Sequence, residues 1–226
     1  MDLKLKEVAE LLNTPEKTVL SWVKDRKLRA YKIYNQYRFN RDELNEWILK
    51  GKIPVSAEVF QRVQTSVPVS LMKLVMRGGI CFSVEGATVK EVLSSAVHSI
   101  AFPVDIDREE ILSALLEREE MMTTGLGEGI ALPHPRNPIL ADVDSESVSI
   151  CPLVHPVDFN AVDGLPVHTM IVILSANPRR HLDILSKVSF LCRQPDFVRS
   201  IKDHADAEEI LRCVQKAELE MMKKKR

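Results

Sequence analysis

The residues best suited to chemistry are one histidine and the glycines that precede it. His134 lies between Pro133 and Pro135, and the glycines are Gly125, Gly127 and Gly129. The glycines exclude a regular helix, and the apolar run 130–132 predicts a buried strand that Pro133 ends. An imidazole held between prolines can carry a covalent intermediate, and glycine N–H groups can face a phosphate. A structural histidine fits the same pattern, because short motifs of this kind are not specific.

The elements around this segment alternate between strands and helices. Residues 147–151 and 166–174 are apolar runs typical of buried strands, and the second is long enough for a central strand. Capping signals at Thr88, Asp107 and Asn177 start amphipathic helices, and another signal starts a final helix near residue 206. Strands that alternate with helices predict an α/β layered domain.

The first 50 residues have a different pattern, made of short helices and a basic segment. The first helix ends near residue 13, and Thr14 with Pro15 starts the second. Residues 27–39 alternate apolar and basic side chains around a turn at Asn35-Gln36, which predicts a β-hairpin. Another amphipathic helix follows. Trp22 and Trp47 lie on apolar helix faces and are expected in the core.

Charge divides the chain in the same way. The net charge of −1 hides +4 over residues 1–53, with 12 Lys+Arg and 8 Asp+Glu, and −5 over the remainder, with 19 and 24. Different partners are therefore expected for the two parts. The four cysteines are scattered without a CxxC pair, which fits buried thiols in a reducing cytoplasm and argues against a metal site. No apolar run reaches membrane-spanning length, and no cofactor is expected.

Residues 125–134 read Gly-Leu-Gly-Glu-Gly-Ile-Ala-Leu-Pro-His, which resembles the phosphorylation signature of EIIA domains of the phosphoenolpyruvate sugar phosphotransferase system. The mannitol/fructose/nitrogen-regulatory (PtsN-like) branch is the most similar, and the resemblance covers about residues 71–215. It extends to the helix end at residues 116–119, to residues 157–167 and to His181-Leu182. The resemblance implies an EIIA-type fold with a mixed central sheet flanked by helices.

The resemblance also implies roles for individual residues. His134 would accept a phosphoryl group from an HPr-like phosphocarrier, and Arg118, sixteen positions earlier, would hold the phosphoryl oxygens in its guanidinium fork. His181, just inside a helix N-terminus, would donate as a neutral imidazole. Gly127 and Gly129 would allow close backbone approach to the phosphate. Many relatives have glycine after the signature histidine, whereas Pro135-Arg136 follows His134 here. Two consequences are open: Arg136 adds a contact to the phosphate, or Pro135 restricts the approach of the phosphocarrier to His134.

The N-terminal part resembles the MerR/excisionase-type winged-helix DNA-binding domain over about 50 residues. The matching residues are Ala9, Leu12, Trp22, Arg38 and Trp47. The resemblance implies that the second helix enters the major groove of double-stranded DNA and that the hairpin reaches the backbone or the minor groove. The predicted contacts are Lys17, Ser21, Lys24, Arg29, Lys32 and Arg38. A solvated charged face is the alternative explanation.

These observations predict two domains: a small α+β winged helix (helix-turn-helix plus β-hairpin) over 1–53 and an EIIA-like phosphoryl-acceptor domain over 71–226, with a linker over 54–70. The leading hypothesis is a regulator in which a phosphohistidine controls DNA binding. One alternative is a transport component that passes phosphate to a separate EIIB protein. A second alternative is an excisionase-like DNA binder that is not phosphorylated. A homodimer is compatible with paired DNA half-sites.

Overall fold

A computed structural model describes residues 2–12, 14–33, 36–40, 43–44, 47–48, 69–103, 106–140 and 142–223. Most of the predicted linker and the last three residues lie outside this set, as does Asn35 of the predicted turn. Among the described helices, none has the length and apolar character needed to cross a bilayer.

The N-terminal part is a helix pair packed on a small antiparallel sheet. Its elements are β1 (Asp2–Lys4), α1 (Leu5–Leu11), α2 (Glu16–Lys24), β2 (Tyr31–Ile33) and β3 (Gln36–Asn40). The predicted hairpin is β2–β3, and β1 pairs with the other side of β3, so that the strand order is β1-β3-β2. Residues 43–44 and 47–48 are helical. The hairpin therefore gains a third strand that the sequence pattern did not indicate.

Trp22 and Trp47 form the centre of this small core. Their ring centroids lie 5.3 Å apart at an interplanar angle of 48°, and both side chains are buried together with Val8, Val19 and Phe39. The expectation that both tryptophans are core residues is confirmed. Tilted aromatic pairs at this separation stabilise a core beyond the area that they bury.

The C-terminal part is built from six helices and four strands within the described residues. They are α3 (Leu71–Gly78), α4 (Val89–Ser99), α5 (Arg108–Met121), β4 (Gly125–Gly127), β5 (Ile130–Ala131), β6 (Ser147–Val157), β7 (Val167–Leu174), α6 (Pro178–Leu191), α7 (Pro195–Lys202) and α8 (Ala207–Lys223). The capping side chains expected at Thr88, Asp107 and Asn177 each accept a backbone N–H of the first turn. Side-chain caps of this kind satisfy N–H groups that have no partner within the helix.

The central sheet is mixed, as predicted, with strand order β4-β5-β7-β6. β5 runs parallel to β7, whereas β4 pairs with β5 and β6 pairs with β7 in antiparallel directions. Residues 80–84 pair with the β6 edge through isolated parallel bridges at Ile80 and Val84. Because β5 and β7 are parallel, their carboxyl ends meet at one edge of the sheet, and α6 begins there.

The start of the C-terminal part is fastened to α8 and α6. Glu218 of α8 accepts the Leu71 backbone N–H at 2.6 Å and the Ser70 hydroxyl at 3.3 Å. Lys187 of α6 donates its ammonium to the Val69 carbonyl. Charge-assisted hydrogen bonds are about twice as strong as neutral ones. The first described residues of this part are therefore held firmly against the two helices.

Candidate functional site

His134 stands at the edge of the sheet where β5 ends. The Pro133 carbonyl accepts the Ile173 N–H at 2.9 Å, which ties the segment to β7. His134 Nδ1 lies 2.7 Å from the Leu132 carbonyl oxygen, and the imidazole has no exposed surface. A carbonyl only accepts, so Nδ1 carries the proton and Nε2 keeps its lone pair. Nε2 is buried without a hydrogen-bond partner among the described residues.

His181 lies beside this imidazole. The two ring centroids are 5.1 Å apart and the rings are tilted by 48°. Asn177 and Pro178 start α6 as predicted, which places His181 in the first turn of that helix. Its Nδ1 lies 2.9 Å from the Ser175 hydroxyl. The hydroxyl can donate to Nδ1, and the proton of the neutral ring then resides on Nε2.

Arg118 completes the cluster from the last turn of α5. The guanidinium is fully buried, and Nη1 donates to the Met122 carbonyl at 2.6 Å. It lies close enough to His134 to disfavour the positive charge on that imidazole. The structure therefore brings together the three residues of the predicted centre from α5, the end of β5 and α6.

The pKa of His134 is lowered well below its ordinary value of 6.5. Burial is the largest cause of this lowered pKa, electrostatic interactions with His181 and Arg118 add to it, and the Leu132 hydrogen bond opposes it. Burial disfavours the charged form of a histidine because the ion loses its hydration. The imidazole is therefore neutral near pH 7, which is the form that can act as a nucleophile.

This lowered pKa predicts a pH dependence of stability. Below its ordinary pKa of 6.5, His134 binds a proton in the unfolded chain but not in the folded protein. Its contribution to stability is therefore fully present above that pH and is lost as the pH falls toward the folded-state pKa, by at most about 1.4 kcal/mol per pH unit. Urea unfolding from about pH 7.5 to 5.5 should show a shallower loss in His134→Gln than in the wild type.

The control for this measurement is His98→Gln, because the His98 side chain is exposed on α4. This variant should keep the wild-type slope of unfolding free energy against pH. An unchanged slope in His134→Gln would mean that the buried imidazole does not set the acid sensitivity of the domain.

Arg136 borders the centre, and the two predicted glycines lie at the turn between β4 and β5. Arg136 is half-buried and lines a small cavity together with His181. Gly127 faces Asp163, and a Cβ on Gly129 would lie 2.3 Å from the His168 ring. Both glycines lie at the β4–β5 turn, with φ of +107° and +74°, and their approach to a phosphate at His134 stays a prediction.

A buried ion pair behind His181 was not evident from the sequence. The Glu146 carboxylate accepts Arg180 Nε and Nη2, both at 2.6 Å, and the Ala176 N–H at 3.0 Å. It thereby joins the start of β6 to the first turn of α6. The sequence pattern does not distinguish a buried glutamate before an apolar strand from an exposed glutamate at the same position. The role of Glu146 is therefore evident only in the tertiary structure.

The predicted DNA contacts are spread over α2 and the hairpin. Lys17, Ser21 and Lys24 are exposed on one face of α2, at the i, i+4, i+7 spacing of a helix. Lys32 is exposed on β2. The two arginines make polar contacts: Arg29 Nη1 lies 3.3 Å from the Glu43 carboxylate and Arg38 donates to Gln36 at 3.1 Å.

Comparison with known proteins assigns both parts of the chain. Residues 74–217 match the family described as phosphoenolpyruvate-dependent sugar phosphotransferase system, EIIA 2, and residues 3–52 match the helix-turn-helix domain. A nitrogen regulatory protein of Pseudomonas aeruginosa is 31% identical over 149 residues, 65% of this chain and 95% of the relative. A fructose-specific EIIA component of Haloferax volcanii is 39% identical over 85 residues, 37% of this chain and 53% of the relative.

A solved structure agrees with these matches. The crystal structure of the nitrogen regulatory protein IIA-Ntr from Neisseria meningitidis superposes with a TM-score of 0.52 at 25% identity. The superposition covers 63% of this chain and 94% of the Neisseria chain.

Proposed function

The chain belongs to the EIIA 2 family of the phosphoenolpyruvate-dependent sugar phosphotransferase system and carries a helix-turn-helix domain at its N-terminus, and from this premise we propose that His134 accepts a phosphoryl group that controls DNA binding. The donor is a histidine phosphocarrier of the HPr type. The protein acts in the cytoplasm, where such carriers circulate, and it needs no cofactor.

One observation supports this function above the others: the orientation of the His134 imidazole. Nδ1 is held by the Leu132 carbonyl, and Nε2 is left with its lone pair inside a cluster that contains a second histidine and an arginine. A hydrogen bond from Nδ1–H to a carbonyl fixes the tautomer and raises the basicity of the other nitrogen. A merely structural histidine would not require this arrangement beside a buried guanidinium.

The transfer follows from that tautomer. The His134 Nε2 lone pair attacks the phosphorus of the carrier phosphohistidine, an N–P bond forms, and the carrier N–P bond breaks with its electron pair returning to the carrier imidazole. The positive charge that develops on the His134 ring is shared with the Leu132 carbonyl through Nδ1–H. Phosphoryl transfer of this kind depends mainly on positioning and charge stabilisation.

Three neighbours supply that stabilisation in the proposal. The Arg118 guanidinium neutralises the phosphoryl oxygens, since its donors match them in a fork. His181 donates from Nε2 when Ser175 occupies Nδ1. Arg136 lies beside His181 at the rim and adds a further cation.

The test is to map phosphate on the wild-type protein. The full chain is incubated with a phosphorylated carrier, and acid-labile phosphate is located by peptide mass spectrometry under neutral conditions. We expect it on the peptide that contains His134, with uptake that is reversed by adding unphosphorylated carrier. Uptake at another residue, or none, would contradict the proposal.

For the N-terminal domain we propose winged-helix DNA binding. The exposed face of α2 enters the major groove through Lys17, Ser21 and Lys24, while Lys32 of the hairpin, with Arg29 and Arg38, reaches phosphates. The support is the helix-turn-helix match, the basic charge of residues 1–53 and the exposure of this α2 face.

This assignment predicts the salt dependence of DNA binding. Each phosphate contact that is lost should reduce the slope of log affinity against log salt by about 0.9. The double change Lys17→Ala/Lys24→Ala should therefore weaken duplex binding and flatten the slope, as measured by fluorescence anisotropy over a salt series. Lys90→Ala on the exposed face of α4 is the matched control and should leave the slope unchanged.

Coupling between the two domains is tested by measuring DNA binding with and without prior phosphorylation. A change in affinity supports the regulator. Unchanged affinity, with quantitative transfer of the phosphate to an EIIB protein, would support a transport role instead. DNA binding by a protein that takes up no phosphate would support an excisionase-like binder. Sedimentation of the DNA complex tests the homodimer.

A further inference from the structure

The N-terminal domain packs directly against the face that carries the phosphoryl-acceptor centre. One small cavity is bordered on one side by residues of the N-terminal domain and on the other by residues around the centre: Leu3, Leu11 and Leu44 face Arg136, Pro138, Pro178, His181 and Leu182. Helices α1 and α6 are in contact, and the apolar cores of the two domains are continuous. We call these two sets of residues the cap interface.

The space left in this interface is small. The cavity has a volume of about 10 Å³, which holds one water molecule at most. His134 has no exposed surface and His181 is 4% exposed. A phosphoryl donor must bring its phosphorus within about 3–3.5 Å of the attacking nitrogen. With both imidazoles buried in this arrangement, His134 Nε2 offers no exposed surface to a second protein.

We infer that the helix-turn-helix domain is an intramolecular cap on the phosphoryl-acceptor centre and competes with the phosphocarrier for the same face. The role in phosphoryl transfer rests on the function proposed above. The face around His134 and His181 is covered by the apolar surface of β1, α1 and residue 44 of this same chain. Opening of the cap interface precedes phosphoryl transfer.

The chemistry of the two sides determines what phosphorylation does to the cap. A phosphoryl group adds a charge of about −1.5 to −2 at neutral pH. Burying that charge beside leucine side chains is costly, because an ion without sufficient partners loses its hydration. Arg136 and Arg118 are better partners for it than the cap leucines. The phosphorylated protein therefore disfavours the capped arrangement, and the N-terminal domain separates from the centre.

The exposed face of α2 takes no part in the cap. Lys17, Ser21 and Lys24 are exposed in the capped protein and are absent from the cavity lining. The cap therefore restricts access to His134 rather than access to the DNA-contacting face. Phosphorylation acts on DNA binding through how this domain is held, because the α2 face is exposed in the capped protein as well.

The experiment opens the cap from each side in the full chain. Leu11→Glu places a charge on the α1 side, and Pro138→Glu places one on the opposite side. Reaction of His134 with diethyl pyrocarbonate is followed by peptide mass spectrometry, with the exposed His98 as internal reference. Both variants should raise the His134 rate at least about tenfold, because reaction of a buried group follows the population of the open form. Lys6→Glu, on the exposed face of α1, is the matched control and should leave the rate unchanged.

Phosphoryl uptake from the carrier is measured on the same proteins and should accelerate in both variants. An unchanged His134 modification rate in both would overturn the cap, whatever the phosphate result. If modification accelerates while no protein takes up phosphate, the cap stands and the proposed function fails. Circular dichroism of each variant establishes that the domains remain folded.

Discussion

His134→Ala is expected to abolish phosphoryl uptake from the phosphorylated carrier, with a loss of at least ~10³-fold in rate, because the nucleophilic nitrogen itself is removed. The effect should exceed that of any neighbour. In the proposed mechanism Arg118 and His181 stabilise charge around the reaction, whereas His134 presents the attacking lone pair, oriented by the Leu132 carbonyl. The measurement is the initial rate of label transfer to the full chain under single-turnover conditions.

Two further variants separate loss of chemistry from loss of structure. His98→Ala removes an exposed imidazole and should keep the wild-type rate. His134→Gln retains a polar side chain near the Leu132 carbonyl and should be as inactive as the alanine variant while unfolding at a similar urea concentration. Transfer at the wild-type rate in either His134 variant would show that another residue accepts the phosphoryl group.

Glu146→Ala is expected to destabilise the C-terminal domain by about 3–5 kcal/mol, the usual cost of removing one partner from a buried ion pair. The carboxylate has no exposed surface, and the Arg180 side chain is 6% exposed. The variant leaves the guanidinium inside the protein and also frees the Ala176 N–H. Urea unfolding with an unchanged denaturant slope measures the difference in free energy.

The matched control is Glu209→Ala, which removes the carboxylate of an exposed pair with Arg212. Exposed pairs contribute about 0–1 kcal/mol, so its unfolding curve should nearly overlay the wild type. Glu146→Gln keeps an acceptor for the backbone N–H and should fall between the two. Equal stability of the Glu146 and Glu209 variants would show that the Glu146–Arg180 ion pair does not anchor α6.

Local signals predicted the elements around the centre, whereas the grouping of Arg118 and His181 with His134 came from the family resemblance. Apolar runs and side-chain caps fix where strands and helices begin, and the caps at Asp107 and Asn177 are present as expected. Once α5 and α6 are placed, the family resemblance is enough to bring Arg118 and His181 toward His134. The mixed sheet followed from that resemblance rather than from periodicity, because β5 has only two residues.

The remaining features depend on contacts between distant parts of the chain. The role of Gly129 is decided by the His168 ring on β7, and that of Glu146 by Arg180 on α6. The cap interface joins residues 3, 11 and 44 to residues between 136 and 182. None of these pairs has a fixed spacing in the sequence, so patterns of residue type along the chain do not predict these contacts.

The fastening of residues 69–71 to Glu218 and Lys187 determines where motion of the N-terminal domain is anchored. Twenty residues separate Ile48 from Val69, so covalent geometry limits the distance between these two points to roughly 70 Å. A released N-terminal domain thus stays at high local concentration near the site that it left. Re-closure after dephosphorylation is consequently unimolecular, and its rate should be independent of protein concentration.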